Sequence, residues 1–299
     1  MTGSKNKLFG IIPPTITPFD RDGEIDLESF RSEVRRLIKT GVNGISVGGS
    51  TGEGSTLSDD ELRLLVKTAK EEIPENMPLI VGIITDSTIQ VLRKIEKIKE
   101  FKVDGLMITP IHYLFTDGDR GIYNFYKEIK EMAKLPIIVY NVVPWNVASV
   151  NVLIKMAEEG IIDGIKQSNG DMHSLMDLIN YLKGKIPIFT AIDDSLFASF
   201  VMGADGSIAA TNTVLPKSSV KLYRLVKEGN YSEALALNYK MLPVIRSFYL
   251  RPNMPSLIKW LMNKTGHNAG YARRPIMPLD AAEESELRKI ADKIIELES

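Results

Sequence analysis

The sequence predicts an α/β protein, a (β/α)8 TIM barrel carrying a C-terminal helical extension. Three observations carry that expectation. Eight short, β-branched, mostly glycine-bounded apolar runs alternate with stretches that repeat apolar residues every three or four positions. The runs recur roughly every 25 to 35 residues, the length of one βαβ unit. After Pro216 the strand pattern stops and only helical patterns remain. An open doubly wound sheet is the alternative, but the first run, from Gly10 to Phe19, is not followed by the GxGxxG turn of a dinucleotide site.

In chain order the predicted strands begin with Gly10-Ile11-Ile12, Gly44 to Val47, Leu79 to Gly82 and Gly105 to Ile108. Pro136 to Tyr140, Ile161 to Lys166, Ile186 to Phe189 and Gly206 to Ala209 follow. Between them, helices are predicted over Asp59 to Glu72, Ser87 to Glu100, Gly121 to Ala133 and His173 to Lys183. Ser58 with Glu61 three residues later reads as a capping box, and Asp26 and the Asp86-Ser87-Thr88 run read as further helix starts. Lys217 to Glu228 would close the barrel. Tyr231 to Leu250, Met254 to Thr265 and Ala281 to Leu297 would form the extension. The expected division is a catalytic barrel over residues 1–228 and a helical domain over 229–299, with no Gly/Ser linker between them.

Composition narrows the chemistry. With 37 basic and 38 acidic side chains and a net charge of -1, no basic excess exists for a broad nucleic-acid surface. Without cysteine there is no disulfide, thiolate nucleophile or thiolate metal site. His112, His173 and His267 are far apart in sequence and lack metal-ligand spacing, so no metal is expected. The first residues are polar and no apolar run approaches the ~20 residues of a membrane span, so a cytoplasmic protein without membrane contact is expected.

The carboxyl ends of barrel strands are where chemistry sits. The most informative residue there is Lys166, which ends an apolar run and starts the polar stretch Gln167 to Asp171. Its amine is the group that can form a Schiff base with a ketone. The second run ends in Gly48-Gly49-Ser50-Thr51-Gly52-Glu53-Gly54, whose backbone N–H groups suit a carboxylate or phosphate. It lacks the lysine of a P-loop. Tyr140-Asn141 ends the fifth run and offers a phenol for proton transfer. Asp193-Asp194 follows the seventh run, to bind substrate hydroxyls or to cap the next helix with Ser195.

These pieces resemble a family. Gly49-Ser50-Thr51-Gly52-Glu53, Tyr140-Asn141, Gly164-Ile165-Lys166, Gly203-Ala204-Asp205-Gly206 and Arg274-Pro275-Ile276-Met277-Pro278 stand in the order and spacing of the dihydrodipicolinate synthase and N-acetylneuraminate lyase family, pyruvate-dependent class I aldolases. The resemblance implies that Lys166 attacks the keto carbon of pyruvate or another 2-oxo acid. Gly49, Ser50 and Thr51 would hold its carboxylate, Tyr140 with Thr51 would serve proton transfer, and Asp193 and Ile208 would line the substrate site. No cofactor is implied beyond the covalent imine. A homo-oligomer, tetramer or dimer, is implied as well.

Three positions depart from the family pattern. Where the lysine-pathway synthases carry an arginine after Tyr-Asn, this chain has Trp145-Asn146, which gives apolar area and one N–H donor but no bidentate carboxylate clamp. Where a tyrosine follows the fourth strand's Thr-Pro and reaches a neighbouring subunit, counting gives His112, with Tyr113 one position late; a histidine there can relay protons. Ile192 stands where the family often has a glycine. Together they point away from aspartate semialdehyde and towards a 2-keto-3-deoxy sugar acid, a 4-hydroxy-2-oxo acid or a more apolar aldehyde. The lysine-pathway synthase activity itself, a sugar-acid dehydratase, and a non-catalytic 2-oxo acid sensor are the alternatives.

Overall fold

The computed structural model describes residues 8–113, 117–250 and 254–299. Its strands are β1 (Gly10–Ile11), β2 (Ile45–Val47), β3 (Leu79–Ile83), β4 (Gly105–Ile108), β5 (Ile137–Asn141), β6 (Gly164–Gln167), β7 (Ile188–Thr190) and β8 (Gly206–Ser207). The barrel helices are α1 (Leu27–Ile38), α2 (Asp59–Glu72), α3 (Thr88–Ile98), α4 (Asp119–Ala133), α5 (Val150–Glu158), α6 (Met172–Leu182), α7 (Leu196–Met202), the short α8 (Thr211–Val214) and α9 (Pro216–Lys227). Beyond them lie α10 (Tyr231–Ser247), α11 (Met254–Lys264) and α12 (Ala281–Glu298). No helix among the described residues is long and apolar enough to cross a membrane.

All strand pairs are parallel, in the order β1-β8-β7-β6-β5-β4-β3-β2. The two ends of that row meet. Asn43 donates its N–H to the carbonyl of Ile11, Ser46 to Pro13, and Thr15 to Ser46. The predicted barrel is therefore present, and all eight predicted strands form.

Period-two alternation sorts the strand side chains. Ile12, Ile80, Met107, Ile138, Tyr140, Phe189 and Ile208 join Leu8 in a cluster that fills the barrel's interior. Ile137, Val139, Ile165 and Ile188 face the other way, into the larger core under the helices. Lys166 follows Ile165 and so shares the inward phase. Its neighbours in register are Tyr140 on β5 and Phe189 on β7, which puts these three side chains in one layer.

The helix starts follow their local chemistry. Ser58 and Glu61 form the full capping box of α2, and Asp26 caps α1. In the Asp86-Ser87-Thr88 run the cap is Ser87. Asp86 turns away and accepts the backbone N–H groups of His112 (2.9 Å) and Tyr113 (2.8 Å). The predicted sixth strand begins three residues later than expected, because Ile161 and Ile162 both donate N–H to the carbonyl of Met156 and so finish α5.

Candidate active site

The carboxyl ends of β2, β5, β6 and β7 bring four of the predicted residues together. Lys166 is buried, 4% exposed, with its Nζ 3.6 Å from the centroid of the Tyr140 ring. Among the described residues no carboxylate or hydrogen-bond acceptor ties up this amine, which rests against an aromatic face instead. The Tyr140 hydroxyl lies 3.2 Å from Ser50 Oγ, so the tyrosine bridges the lysine and the loop after β2. The Asp193 side chain lies within electrostatic range of Lys166. Burial raises its carboxyl above the usual range, and bonds from Thr211 and the charge of Lys166 oppose that rise.

Asp193 caps no helix through Ser195. Its Oδ1 accepts both the backbone N–H (2.6 Å) and the hydroxyl (2.7 Å) of Thr211, which fixes α8 against the end of β7. Its neighbour Asp194 pairs with Arg246 of α10 at 3.0 Å. Ile208 is fully enclosed in the interior cluster beside Tyr140 and Phe189, and presents no surface to a ligand in this structure.

The loop after β2 turns twice. Ser50–Gly52 and Gly54–Thr56 are single 3-10 turns hinged at Glu53, which holds φ 56° in the left-handed region. Glycine is required at 54, where a Cβ would stand 1.8 Å from the carbonyl oxygen of Gly48. Gly49 and Thr51 are buried and Ser50 is exposed. Three consecutive amides at the start of a tight turn, next to a hydroxyl that already meets Tyr140, make a place for a small carboxylate.

His112 and Trp145 are joined to each other rather than to this group. The Trp145 indole N–H donates to the His112 carbonyl at 2.7 Å, and Asn146 Nδ2 donates to the Ile111 carbonyl at 2.8 Å. The loops after β4 and β5 are thereby stapled together. His112 Nδ1 stands 3.1 Å from Asp86 Oδ1. The Trp145 ring remains 61% exposed and Tyr113 80%. The one N–H donor of the indole is thus already in use.

Sequence reasoning missed several participants. Asp86 is a loop residue with no local signature beyond its place in the run that starts α3, where Ser87 is the cap. Thr109 follows β4 one step beyond the Ile108–Val139 register, level with Tyr140, and its buried hydroxyl has no partner among the described residues. Asn141 stood in the motif, but its work was not foreseen. Its Nδ2 donates to the Ala148 carbonyl (3.1 Å) and to Gln167 Oε1 (3.0 Å), while its Oδ1 accepts from Ala148 N–H (2.9 Å). Asn141→Ala leaves these fully buried groups unpaired. It is expected to lower stability by about 2–3 kcal/mol, read from urea unfolding. A change below about 0.5 kcal/mol contradicts this account.

Glu53 and Lys259 form an ion pair with both side chains almost completely buried. Burial pushes the Lys259 ammonium down to about 8. Unfolded, the lysine titrates near its ordinary value of 10.5. Between about 8 and 10.5 the unfolded chain therefore binds more protons than the folded one, and this group makes stability rise with pH across that window. Urea midpoints from pH 8 to 10 are expected to climb in the native protein relative to a Glu53→Gln/Lys259→Met double variant. Parallel profiles contradict the expectation.

A cavity of about 740 Å3 lies on the other side of this pair, between the 20–24 turn and residues 270–279. It includes neither Lys166 nor Tyr140, and it has the shape of a site without this site's chemistry. No group of three or more His, Asp or Glu side chains among the described residues is arranged to hold a metal.

A parallel barrel with a buried lysine and a tyrosine in one layer at the strands' carboxyl ends has the arrangement that a lyase of the class I aldolase type needs. The comparisons make the assignment specific. Residues 7–294 match the model of the Dihydrodipicolinate synthetase family, and the chain belongs to that family. It is 31% identical over 300 residues to an uncharacterized DapA-like lyase of Pyrobaculum arsenaticum, covering 96% of this chain and 99% of that one. It is 32% identical over 278 residues to the 4-hydroxy-tetrahydrodipicolinate synthase of Thermotoga maritima, covering 90% and 92%. The crystal structure of the dihydrodipicolinate synthase of Acinetobacter baumannii complexed with pyruvate superposes with a TM-score of 0.91 at 28% identity, covering 96% and 99%.

Proposed function

We propose that the protein condenses or cleaves pyruvate, or a close 2-oxo acid, with an aldehyde through an imine on Lys166. The observation that carries this is the buried amine 3.6 Å from the Tyr140 ring, with the Tyr140 hydroxyl against Ser50. The unprotonated amine attacks the keto carbon, and the carbinolamine loses water to give the imine. Loss of a C3 proton gives the enamine. Its C3 adds to an aldehyde carbon, or forms as that carbon–carbon bond breaks in the reverse direction. Hydrolysis frees Lys166. Ser50, Thr51 and the amide of Gly49 hold the carboxylate, and the Tyr140 hydroxyl moves protons between carbinolamine, enamine and the aldehyde oxygen. Asp193 and the His112–Trp145 wall bound the space for the second substrate.

The loop from Val142 to Ser149 contains no arginine, and its tryptophan N–H is spent on a backbone carbonyl. The reading is therefore an aldehyde gripped without a guanidinium: the fragment of a 2-keto-3-deoxy sugar acid or 4-hydroxy-2-oxo acid, or a more apolar aldehyde. Likeness to the Thermotoga relative favours a second reading, 4-hydroxy-tetrahydrodipicolinate synthase activity. The proposal is completed by a cytoplasmic homo-oligomer, tetramer or dimer, that needs no metal.

The test is a turnover panel. Pyruvate release from sugar acids and 4-hydroxy-2-oxo acids, and pyruvate consumption with aldehydes including aspartate semialdehyde, are followed with and without chelator. Turnover that survives chelation, and is greatest with an aldehyde lacking a carboxylate, is the expected result. Preference for aspartate semialdehyde supports the second reading. Binding of 2-oxo acids without turnover of any partner contradicts both and leaves a sensor.

A further inference from the structure

We infer that Glu53 and Lys259 are positioning residues for the 2-oxo acid carboxylate, so that the C-terminal helix α11 is part of the substrate site although it contributes no group to it. The inference rests on the reading of the Gly49–Thr51 turn as the carboxylate holder.

Lys259 Nζ has three acceptors for its three protons: Glu53 Oε1, the Thr17 carbonyl (2.6 Å) and the Tyr271 carbonyl (2.7 Å). Glu53 Oε2 accepts the Arg273 N–H at 2.8 Å. The same Thr17 donates its hydroxyl to the Gly52 carbonyl at 2.7 Å. Lys259 thus grips the β2 loop twice, directly at Glu53 and through Thr17 at Gly52. Arg273 completes the grip: its guanidinium donates to the Thr56 and Gly23 carbonyls and pairs with Glu61. Both cations pack over the Phe19 ring, at 4.5 and 4.1 Å.

The loop needs such a hold. Glu53 is a non-glycine residue in the left-handed region, a conformation that persists only when surroundings impose it. It is also the hinge between the two 3-10 turns. Releasing it frees the backbone of residues 49–51, whose amides must aim at one point. Fully buried charges are poor stabilisers compared with apolar packing, and a role in fixing one geometry accounts for this pair better than stability does.

Lys259→Met alone strands a buried carboxylate and threatens folding. The test therefore uses the double variant Glu53→Gln/Lys259→Met, in which the amide oxygen that replaces the carboxylate can still accept the Arg273 N–H. Two quantities are measured beside the native protein: amide hydrogen exchange of residues 49–56, and the pyruvate concentration that half-saturates borohydride trapping on Lys166. The expected result is loop exchange at least about tenfold faster with the barrel strands unchanged. Half-saturation would rise at least about tenfold while the trapped plateau stays within about twofold. Unchanged loop exchange overturns the inference whatever happens to trapping. Faster exchange with unchanged half-saturation also overturns it, leaving a structural pair. If the native protein traps no 2-oxo acid, the reading of the site itself fails, and the inference falls with it.

Discussion

Lys166→Ala is expected to abolish turnover, lowering kcat/KM by about 10^4-fold or more, the scale reached when a covalent nucleophile is removed. The reason is local. No other lysine among the described residues shares its position: buried, inward, and resting on a tyrosine ring at the carboxyl end of a barrel strand. The substitution is expected to leave the fold intact, since the amine has no ion-pair or hydrogen-bond partner among the described residues. Its replacement removes a buried polar group rather than orphaning one. Circular dichroism and the urea midpoint check the second half of this expectation. A variant that keeps more than about a hundredth of native kcat/KM contradicts the first half.

Tyr140→Phe is expected to split the reaction. The ring that packs beside Lys166 remains, and so does the layer formed with Phe189. Only the hydroxyl facing Ser50 is lost. Imine formation should persist at a slower rate, while kcat falls by about 10^2–10^3-fold, within the range that positioned acid–base groups contribute. Single-turnover trapping set against steady-state kcat reads the two effects separately. Equal loss of trapping and turnover would mean that Tyr140 only shapes the pocket. No loss of kcat would hand the proton transfers to another group, of which Thr109, level with Tyr140 and without a partner among the described residues, is the nearest by strand register.

The barrel was legible because each strand carries its own local signal. A β-branched run such as Ile137 to Tyr140, bounded by Pro136 and Asn141, has to be buried on both faces, and alternation then decides which side chains turn inward. Lys166 was legible for the same reason, a charged residue in the last inward position of such a run. Strand ends were less so. Ile161 and Ile162 look like strand and act as the C-terminal stop of α5, because apolar residues serve either purpose and only the Met156 carbonyl distinguishes them.

What the sequence could not show is what joins distant segments. Glu53 and Lys259 stand 206 positions apart, Thr213 and Pro14 199 apart, and neither pairing has a local periodicity. Asp86 sits beside a serine that is the better helix cap, and its real partners are backbone amides 26 and 27 residues on. Trp145 provides no carboxylate clamp, as its residue type implies. Its indole N–H proves to be a staple to the neighbouring loop, which a residue type alone does not reveal.

The reaction proposed for this barrel turns on a covalent imine at Lys166, and borohydride reduction in the presence of pyruvate followed by peptide mass spectrometry detects that bond. One adduct, of the pyruvate mass less one oxygen, is expected on the peptide that contains Lys166, and none on that peptide in Lys166→Ala. An adduct on a different lysine, or no adduct with pyruvate or any longer 2-oxo acid, would contradict it.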